Sequence, residues 1–294
     1  MTRVISMGEC MVELSSRPDG AYARAFAGDA YNTAVHLKRA APDIDVQFAS
    51  VTGEDGLSAD MREAWRREGI DDSLSPSVAG RLPGLYMIET DAHGERRFSY
   101  WRGQSAARLW LSELDEGRVA GADLVFMSGV SLAILPLQER ARALAFIDRV
   151  APRAFAFDPN LRPALWESES AMGEIVEAAM ARATILLPSL DDLKRLWGEA
   201  APEALADRCV ALGAGEVALT LGPEGCLVAT RGAAERVEAP KAVAVDTSGA
   251  GDAFNGAYLA ARLKGASAVE AARAGLALAA RVVSLPGALP GGER

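Results

Sequence analysis

The sequence predicts an α/β fold built around a mostly parallel central sheet. Short apolar runs alternate with longer segments of helical periodicity, and short links join them. This alternation is typical of βα units, whose strands lie parallel in one sheet flanked by helices. The chain has 294 residues, of which 50% are hydrophobic, and it can bury a large core. We therefore expect a single domain over residues 1–294.

Six apolar runs, each bounded by loop residues, are the predicted strands: residues 3–7, 46–51, 123–127, 154–157, 184–187 and 216–221. Apolar residues recur at helical spacing between most of them, and the predicted helices lie near residues 30–39, 58–68, 137–150, 171–181 and 203–212. Ser267 and Glu270 match a capping box, which predicts a last helix that ends before Pro286.

One segment departs from the alternation. Residues 85–90 and 97–101 are both strand-like, and they flank the turn-forming sequence 91–95. This pattern predicts a β-hairpin inserted into the α/β chain. A hairpin in that position is well placed to cover a ligand site as a lid.

A run of small residues marks the candidate catalytic site. Gly249, Ala250 and Gly251 follow a β-like run, 242–245, and Asp252 begins a helical stretch that ends near Leu263, before Gly265. Free N–H groups and the dipole at a helix N-terminus favour a phosphate, and glycine lets the phosphate approach closely. Asp252 could take a proton from an acceptor hydroxyl. The alternative is a tight turn whose aspartate only complements the helix dipole.

Three sequence blocks carry a family resemblance. Residues 246–256, DTSGAGDAFNG, resemble the C-terminal signature of the ribokinase-like (phosphofructokinase B type) carbohydrate kinases. Gly28, Asp29 and Asn32 resemble the N-terminal GDxxN block of that family, and the nucleotide-loop pattern is matched by Thr220, Gly222 and Gly225. The blocks occur in the order of the family, so the resemblance covers essentially the whole chain.

The resemblance implies a ribokinase-like fold, with a small β lid contributed mainly by residues 81–103 and part of 8–27, and a homodimer formed through that lid. It implies that Gly249, Ala250 and Gly251 form an anion hole and that Asp252 is the catalytic base. ATP and Mg²⁺ are the implied cofactors, and a monovalent cation is a further option. The implied nucleotide-binding residues are Asn160, Arg162, Ser189, Thr220, Gly222, Gly225, Gly249, Ala250 and Gly251.

Two arginines point to an acidic sugar as substrate. Arg102 follows the hairpin, and Arg162 lies beyond the carboxyl end of strand 154–157, where it would face the ligand crevice. Arginine binds a carboxylate through a planar, often bidentate fork. The alternative is that Arg102 packs over Trp101 and that Arg162 binds only nucleotide phosphates.

Longer blocks make the substrate more specific. Residues 81–102, 128–135 and 157–166 resemble the branch of the family that acts on 2-keto-3-deoxygluconate. The resemblance implies ATP-dependent phosphorylation of this sugar acid to its 6-phosphate. The implied substrate-binding residues are Gly28, Asp29, Asn32, Tyr86, Tyr100, Arg102, Arg162 and Asp252. The alternatives are a kinase for fructose, ribose or another keto-deoxy acid, and a sugar-sensing protein without catalysis. The intact GAGD disfavours the sensor, since binding alone needs no base.

Two departures from the family pattern concern the nucleotide end. Where relatives carry NxxE, this chain has PSLDD at residues 188–192, so the metal ligands remain unassigned. Mg²⁺ keeps most of its waters, and Asp192 could act through one of them or be an ordinary first-turn aspartate. Thr220 stands where some relatives have lysine, which predicts a weaker phosphate contact.

Charge and composition exclude several classes of protein. The net charge of −9 and the isoelectric point near 5.0 disfavour nucleic acid and anionic membranes as partners. The three cysteines are widely spaced without a CxxC pair, which indicates reduced thiols. With only two histidines, His-based triads and metal clusters are disfavoured. The first strand leads into MGECMVEL rather than a GxGxxG turn, which disfavours a dinucleotide oxidoreductase.

The first residues lack a signal-peptide pattern, and no apolar run is long enough to span a membrane, so we expect a cytoplasmic location.

Overall fold

The computed structural model of the chain describes residues 2–17, 19–90 and 96–291. The strands within these ranges are β1 (Arg3–Met7), β2 (Met11–Ser16), β3 (Tyr22–Ala27), β4 (Asp45–Ala49), β5 (Gly84–Thr90), β6 (Arg96–Trp101), β7 (Leu124–Ser128), β8 (Phe155–Asp158), β9 (Ile185–Leu186), β10 (Glu216–Thr220), β11 (Cys226–Thr230) and β12 (Ala233–Val237). The helices are α1 (Asp29–Ala40), α2 (Gly56–Arg67), α3 (Trp110–Glu113), α4 (Glu116–Val119), α5 (Gly129–Ala133), α6 (Leu137–Val150), α7 (Glu169–Met180), α8 (Leu190–Trp197), α9 (Pro202–Leu212), α10 (Ala250–Leu263) and α11 (Ala268–Val283).

Eight of the described strands form the large sheet, in the order β12-β11-β10-β9-β8-β7-β1-β4. Neighbouring strands from β10 to β4 run parallel, whereas β11 and β12 are antiparallel additions at one edge. The six predicted strands all lie in the parallel part, with ends shifted by at most two residues, so the predicted mostly parallel sheet is confirmed. The sequence did not predict β11 and β12. β12 is an edge strand with four of its five residues exposed, and it therefore lacks a hydrophobic pattern.

The large sheet is buried on both faces. Along β1, Val4 packs into one core, while Ile5 and Met7 pack into the other. Helices α1, α2, α10 and α11 cover the first face, and α6, α7 and α9 cover the second. Burial on both faces explains why the strands are continuous apolar runs rather than alternating ones.

A second sheet contains four strands in the order β3-β2-β5-β6, which together are called the small sheet. β5 and β6 pair antiparallel, which confirms the predicted hairpin, and the predicted turn at 91–95 lies outside the described residues. β2 joins the hairpin by pairing parallel with β5, and β3 pairs with β2. Segments 8–27 and 81–103 thus meet in the small sheet.

The last two helices have the predicted ends. The side chain of Ser267 accepts from Glu270 N while Glu270 caps Ser267 in return, so the capping box of α11 is confirmed. Gly265, with φ +89°, follows the end of α10 as expected for a helix stop. Among the described residues, no helix is both long enough and apolar enough to cross a membrane.

The predicted β-like run at 242–245 is wrong. Val243 and Val245 are 81% and 65% exposed, and the segment belongs to no described strand. Its end is held instead by backbone hydrogen bonds from Val245 N and Asp246 N to Val283 O, at 2.7 and 3.0 Å. The alternating valines therefore face solvent rather than a neighbouring strand.

Helices α1 and α10 approach closely at Gly256, and this contact supplies a stability test. A Cβ at Gly256 would lie 2.6 Å from His36 Cβ and 2.8 Å from Leu37 N. We expect Gly256→Ala to lower the free energy of unfolding by about 1–3 kcal/mol, measured by chemical denaturation, because two packed helices must separate.

Gly173→Ala is the matched control. Gly173 is also inside a helix, α7, but a Cβ there would lie 3.4 Å from Leu196 Cδ1, which is an ordinary contact. This substitution should leave stability unchanged or raise it by up to about 1 kcal/mol, the helix-propensity gain of alanine. Equal effects of the two substitutions would contradict the account of α1–α10 packing.

Candidate active site

A cleft of about 1890 Å³ lies at the carboxyl ends of the parallel strands, bordered by the small sheet and by α10. Asp158 and Thr220 are the last residues of β8 and β10, and Asn160 and Ser189 closely follow β8 and β9. Open α/β sheets bind ligands at this edge, because the loops that leave the strands enclose a crevice there.

The cleft brings together every predicted site residue except two. Its lining includes Gly28, Asp29, Asn32, Tyr86, Tyr100, Arg102, Asn160, Arg162, Ser189, Thr220, Gly249, Ala250, Gly251 and Asp252. Gly222 and Gly225 do not line it. Gly225 has φ +110°, and a Cβ there would lie 2.0 Å from Val237 O, so the approach of β12 explains this glycine without a ligand.

The start of α10 has the geometry of an anion site. Gly249 is the N-cap residue in a left-handed conformation, φ +73°, and the first intrahelical bond runs from Ala253 N to Gly249 O at 2.8 Å. The N–H groups before Ala253 therefore belong to the first turn, where an α-helix offers them no intrahelical acceptor. Gly251 is exposed and a Cβ on it would meet open space. An anion can reach this turn from the cleft.

Asp252 lies in the same turn and is hydrogen-bonded to a residue of α1. Asn32 Nδ2 donates to Asp252 Oδ2 at 2.8 Å, and Asn32 itself is buried. Burial, and then the nearby negative charge of Asp29, raise the pKa of the Asp252 carboxyl to about 7, while the Asn32 hydrogen bond and the charge of Arg162 oppose this shift. A carboxyl with this pKa can accept a proton near neutral pH and release it again. The sequence predicts only a sugar-binding role for Asn32, not this contact with Asp252.

Two further carboxylates face the same part of the cleft. Asp29 Oδ2 accepts from Asn160 Nδ2 at 2.7 Å and from the Ser128 hydroxyl. Asp158 Oδ2 accepts from Asn255 Nδ2 at 2.8 Å. Burial and the charges of neighbouring aspartates raise the pKa of Asp158 well above its usual range. Each of these buried carboxyls has a side-chain donor.

The sequence analysis did not identify Asp158 and Asn255 as site residues. A signal was present, because Asp158 ends a predicted strand at the ligand edge and Asn255 falls within the signature that contains Asp252. Asp192 also lies here: its Oδ1 accepts from Leu161 N at 3.2 Å, and burial raises its pKa. Among the described residues, no three or more His, Cys, Asp or Glu side chains are grouped to hold a metal ion by themselves.

The small sheet closes the other side of the cleft with aromatic residues. Tyr86 is buried and stacks on Tyr100 with ring centroids 5.8 Å apart, while Tyr100 is 54% exposed. The Tyr86 hydroxyl donates to Glu13 on β2, the strand next to β5. Glu13 thus places a hydrogen-bond acceptor on this face of the cleft. The sequence does not predict this residue as part of the site.

Arg102 lies directly after β6 and turns into the cleft. Its Nη2 forms an ion pair with the carboxylate of Glu9, which is 1% exposed, and the Ser105 hydroxyl donates to the other Glu9 oxygen. The pair is not a well-aligned hydrogen bond, because Arg102 Nε and Nη2 and Glu9 Oε2 find no hydrogen-bond partner among the described residues. The expected alternative, Arg102 packed over Trp101, is not among the cation–π contacts of the described residues.

Arg162 lies in the loop that follows β8 and also lines the cleft. Its Nη1 donates to Leu161 O at 2.8 Å, and its charge lowers the pKa of both Asp192 and Asp252. Asn160 has φ +36°, a left-handed conformation that directs the chain from β8 into this loop. Arg162 is thus a positive charge that acts on two of the aspartates of the cleft, Asp192 and Asp252.

Comparison with known proteins agrees with this geometry. Residues 1–291 match the model of the pfkB family of carbohydrate kinases. The chain is 40% identical over 296 residues to the 2-dehydro-3-deoxygluconokinase of Dickeya dadantii (strain 3937), covering 96% of this chain and 95% of that one. It is 37% identical over 300 residues to the 2-dehydro-3-deoxygluconokinase of Escherichia coli (strain K12), covering 98% and 96%.

Among solved structures, the PfkB protein from Polaromonas sp. JS666 superimposes with a TM-score of 0.87 at 28% identity, covering 97% of this chain and 96% of that one. The chain therefore belongs to the pfkB family of carbohydrate kinases, and the predicted ribokinase-like fold is confirmed. It is a phosphotransferase with an alcohol group as acceptor. A putative ribokinase II from E. coli, solved in complex with ATP and Mg²⁺, superimposes with a TM-score of 0.87 at 22% identity, covering 100% of this chain and 96% of that one.

The Asn32–Asp252 hydrogen bond yields a prediction. Replacing Asn32 by leucine removes the donor while keeping the volume, so the pKa of Asp252 should rise above 7, because the hydrogen bond stabilises the charged form. ¹³C NMR titration of labelled aspartate would measure this pKa. Thr33→Val, the neighbouring buried position, is the control and should leave the Asp252 pKa unchanged. A lower or unchanged pKa in the Asn32 variant would contradict the assignment of this hydrogen bond.

Proposed function

We propose that this chain is a 2-dehydro-3-deoxygluconokinase, which transfers the γ-phosphoryl group of ATP to the 6-hydroxyl of 2-dehydro-3-deoxy-D-gluconate. Relatives of that name match it over nearly their whole length at 37–40% identity. The single observation that carries the choice of an acid is Arg102: its guanidinium, whose N–H groups are donors, borders the cleft, and 12% of its side chain is exposed. A carboxylate is the natural partner for such donors.

In the proposed reaction Asp252 is the base. Its carboxylate takes the proton of the 6-hydroxyl as that oxygen attacks the γ-phosphorus and the bond to ADP breaks. Asn32 occupies one oxygen of Asp252, so the other remains for the substrate. The N–H groups of Gly249, Ala250 and Gly251, together with the positive end of the α10 dipole, stabilise charge on the transferred group.

The sugar acid would lie between the small sheet and α1. Arg102 binds its carboxylate, with Arg162 also at the cleft, while Tyr86 and Tyr100 cover the carbon chain. The other proposed substrate residues, Gly28, Asp29 and Asn32, border the cleft at the start of α1. A Cβ at Gly28 would lie 2.2 Å from Glu9 O, so only glycine lets the two segments meet there.

The nucleotide would occupy the part of the cleft opposite the small sheet. Asn160, Ser189 and Thr220 border it, together with the first turn of α10. Asp158 and Asp192 fit Mg²⁺, because carboxylate oxygens are the ligands that Mg²⁺ prefers and both residues line the cleft with Ser189 and the first turn of α10. When bound, Mg²⁺ would neutralise phosphate charge. A role of Gly222 and Gly225, a monovalent cation, a dimer through the small sheet and a cytoplasmic location all stay predictions.

The alternative substrate is a neutral sugar such as fructose. The Glu9–Arg102 ion pair favours it, since an arginine that already has a counter-ion attracts a second carboxylate less strongly. ADP release measured with 2-dehydro-3-deoxygluconate, fructose and ribose decides between them. Our proposal requires the sugar acid to have the highest kcat/KM.

Asp252→Asn tests the base. Loss of general base catalysis should lower kcat by roughly 10²- to 10⁴-fold, while the affinity for ATP stays within a few-fold. In the wild type, kcat/KM should fall as the pH drops below about 7, because the carboxyl becomes protonated. Asp207→Asn, an exposed position on α9, is the matched control and should retain wild-type kcat. Near-normal turnover of the Asp252 variant would remove Asp252 from the base role.

Arg102→Ala tests carboxylate recognition. A hydrogen bond to a charged group contributes about 1.5–3 kcal/mol, so kcat/KM for the sugar acid should fall on the order of 10- to 150-fold. Because the change leaves Glu9 as a buried unpaired carboxylate, thermal unfolding must confirm that the variant is folded at the assay temperature.

Arg97→Ala is the control for Arg102, since Arg97 is an exposed arginine on β6, the strand that ends just before Arg102. It should keep wild-type kinetics. Equal loss of activity on the sugar acid and on a neutral sugar in the Arg102 variant would mean that Arg102 does not recognise a carboxylate.

A further inference from the structure

Glu9, which forms the ion pair with Arg102, is buried more deeply than any proposed catalytic residue. Glu9 lies between β1 and β2, where the large sheet passes into the small sheet, and only 1% of it is exposed. Its Oε1 accepts from the Ser105 hydroxyl, and its Oε2 pairs with Arg102. Ser105 and Arg102 both follow β6, so one carboxylate ties the end of the small sheet to the first strand of the large sheet.

The surroundings of Glu9 leave it no other strong partner. The charged and titratable groups that act on it are Arg102, the carboxylate of Asp29 and the thiol of the adjacent Cys10. A Cβ at Gly84 would lie 2.7 Å from Glu9 Oε1, so the backbone of β5 packs directly against the carboxylate. A charge in such a position is tolerated because the guanidinium is beside it.

The same contact acts on Arg102. The side chain of Arg102 is only 12% exposed, and burying its charge without a counter-ion would cost free energy. Without a counter-ion, the guanidinium would also attract any small anion that entered the cleft. Glu9 supplies a counter-ion that cannot diffuse away. Arg102 still borders the cleft, but its attraction for a second carboxylate is reduced.

From this geometry we propose that Glu9 is a positioning residue that determines specificity: it fixes the guanidinium of Arg102 and prevents simple anions from binding there. A ligand therefore binds at Arg102 only when the rest of the ligand also contributes binding free energy through contacts with the cleft. A sugar acid would make such contacts with the tyrosines and with the start of α1. This inference rests on the proposed function, because it assumes that the substrate carries a carboxylate.

Glu9→Gln tests the inference, because glutamine keeps the shape and an oxygen acceptor while removing the charge. Acetate should inhibit the variant competitively against the sugar acid, with an inhibition constant on the order of 10-fold lower than for the wild type, since Arg102 has lost its counter-ion. The KM for the sugar acid should stay within about 3-fold, because the guanidinium attracts the carboxylate more strongly but is no longer held in place, and kcat and the KM for ATP should stay within about 2-fold. A purely structural role would instead change all these constants together.

Ser105→Ala is a second, milder variant that removes no charge. Without the serine hydroxyl the negative charge on Glu9 is less stabilised, so acetate inhibition should strengthen in the same direction but by only about 2- to 3-fold. Adding Arg102→Ala to Glu9→Gln should abolish the increased acetate sensitivity.

The outcomes separate this inference from the proposed function. Unchanged or weaker acetate inhibition in both single variants, with a wild type that prefers the sugar acid, overturns the role of Glu9 alone. A wild type that prefers fructose or ribose overturns the proposed function, and the role of Glu9 with it. Restoration of wild-type acetate resistance by Glu9→Asp, which retains the charge, would support the role.

Discussion

The burial of negative charge around one cleft is the constraint on which the rest of the site depends. Carboxylates removed from water need donors, or they become protonated. Here the donors come from elements far apart in the chain: Asn32 donates to Asp252, Asn255 donates to Asp158 and Ser105 donates to Glu9, which also pairs with Arg102. The presence of the asparagine side chains in the site is therefore explained by their hydrogen bonds to aspartates, before any contact with a ligand is considered. A cleft so acidic accepts phosphates only where an N-terminal helix turn, Arg162 and a divalent cation offset the charge.

Helix α10 connects this electrostatic arrangement to the fold. Its first turn provides both the proposed anion site and Asp252, and its second turn presents Gly256 to α1 and Asn255 to Asp158. Close packing through glycine keeps α1 within hydrogen-bond distance, so that Asn32 reaches Asp252. The positions of Asp252 and Asn32 are thus set by helix packing rather than by a flexible loop.

Sequence alone predicted the parallel sheet because its strands are buried on both faces and form continuous apolar runs. It missed β12, whose residues are mostly exposed, and it mistook the exposed valines at 243 and 245 for a strand. It found the turn at Gly249 and the position of Asp252 in the cleft because a small-residue loop before a helix is a local signal. It could not find Glu9 or Glu13, since each depends on a partner about 70 to 100 residues away that only the folded sheet brings near.

The central claim is that one cleft orients a sugar acid with its carboxylate toward the small sheet and its terminal hydroxyl toward α10. The most direct test is a crystal structure with 2-dehydro-3-deoxygluconate and a non-hydrolysable ATP analogue. The account predicts the 6-hydroxyl at hydrogen-bond distance, about 3 Å, from the free oxygen of Asp252, and the carboxylate on Arg102. A sugar bound in the reverse direction, or a carboxylate that does not contact Arg102, would contradict it.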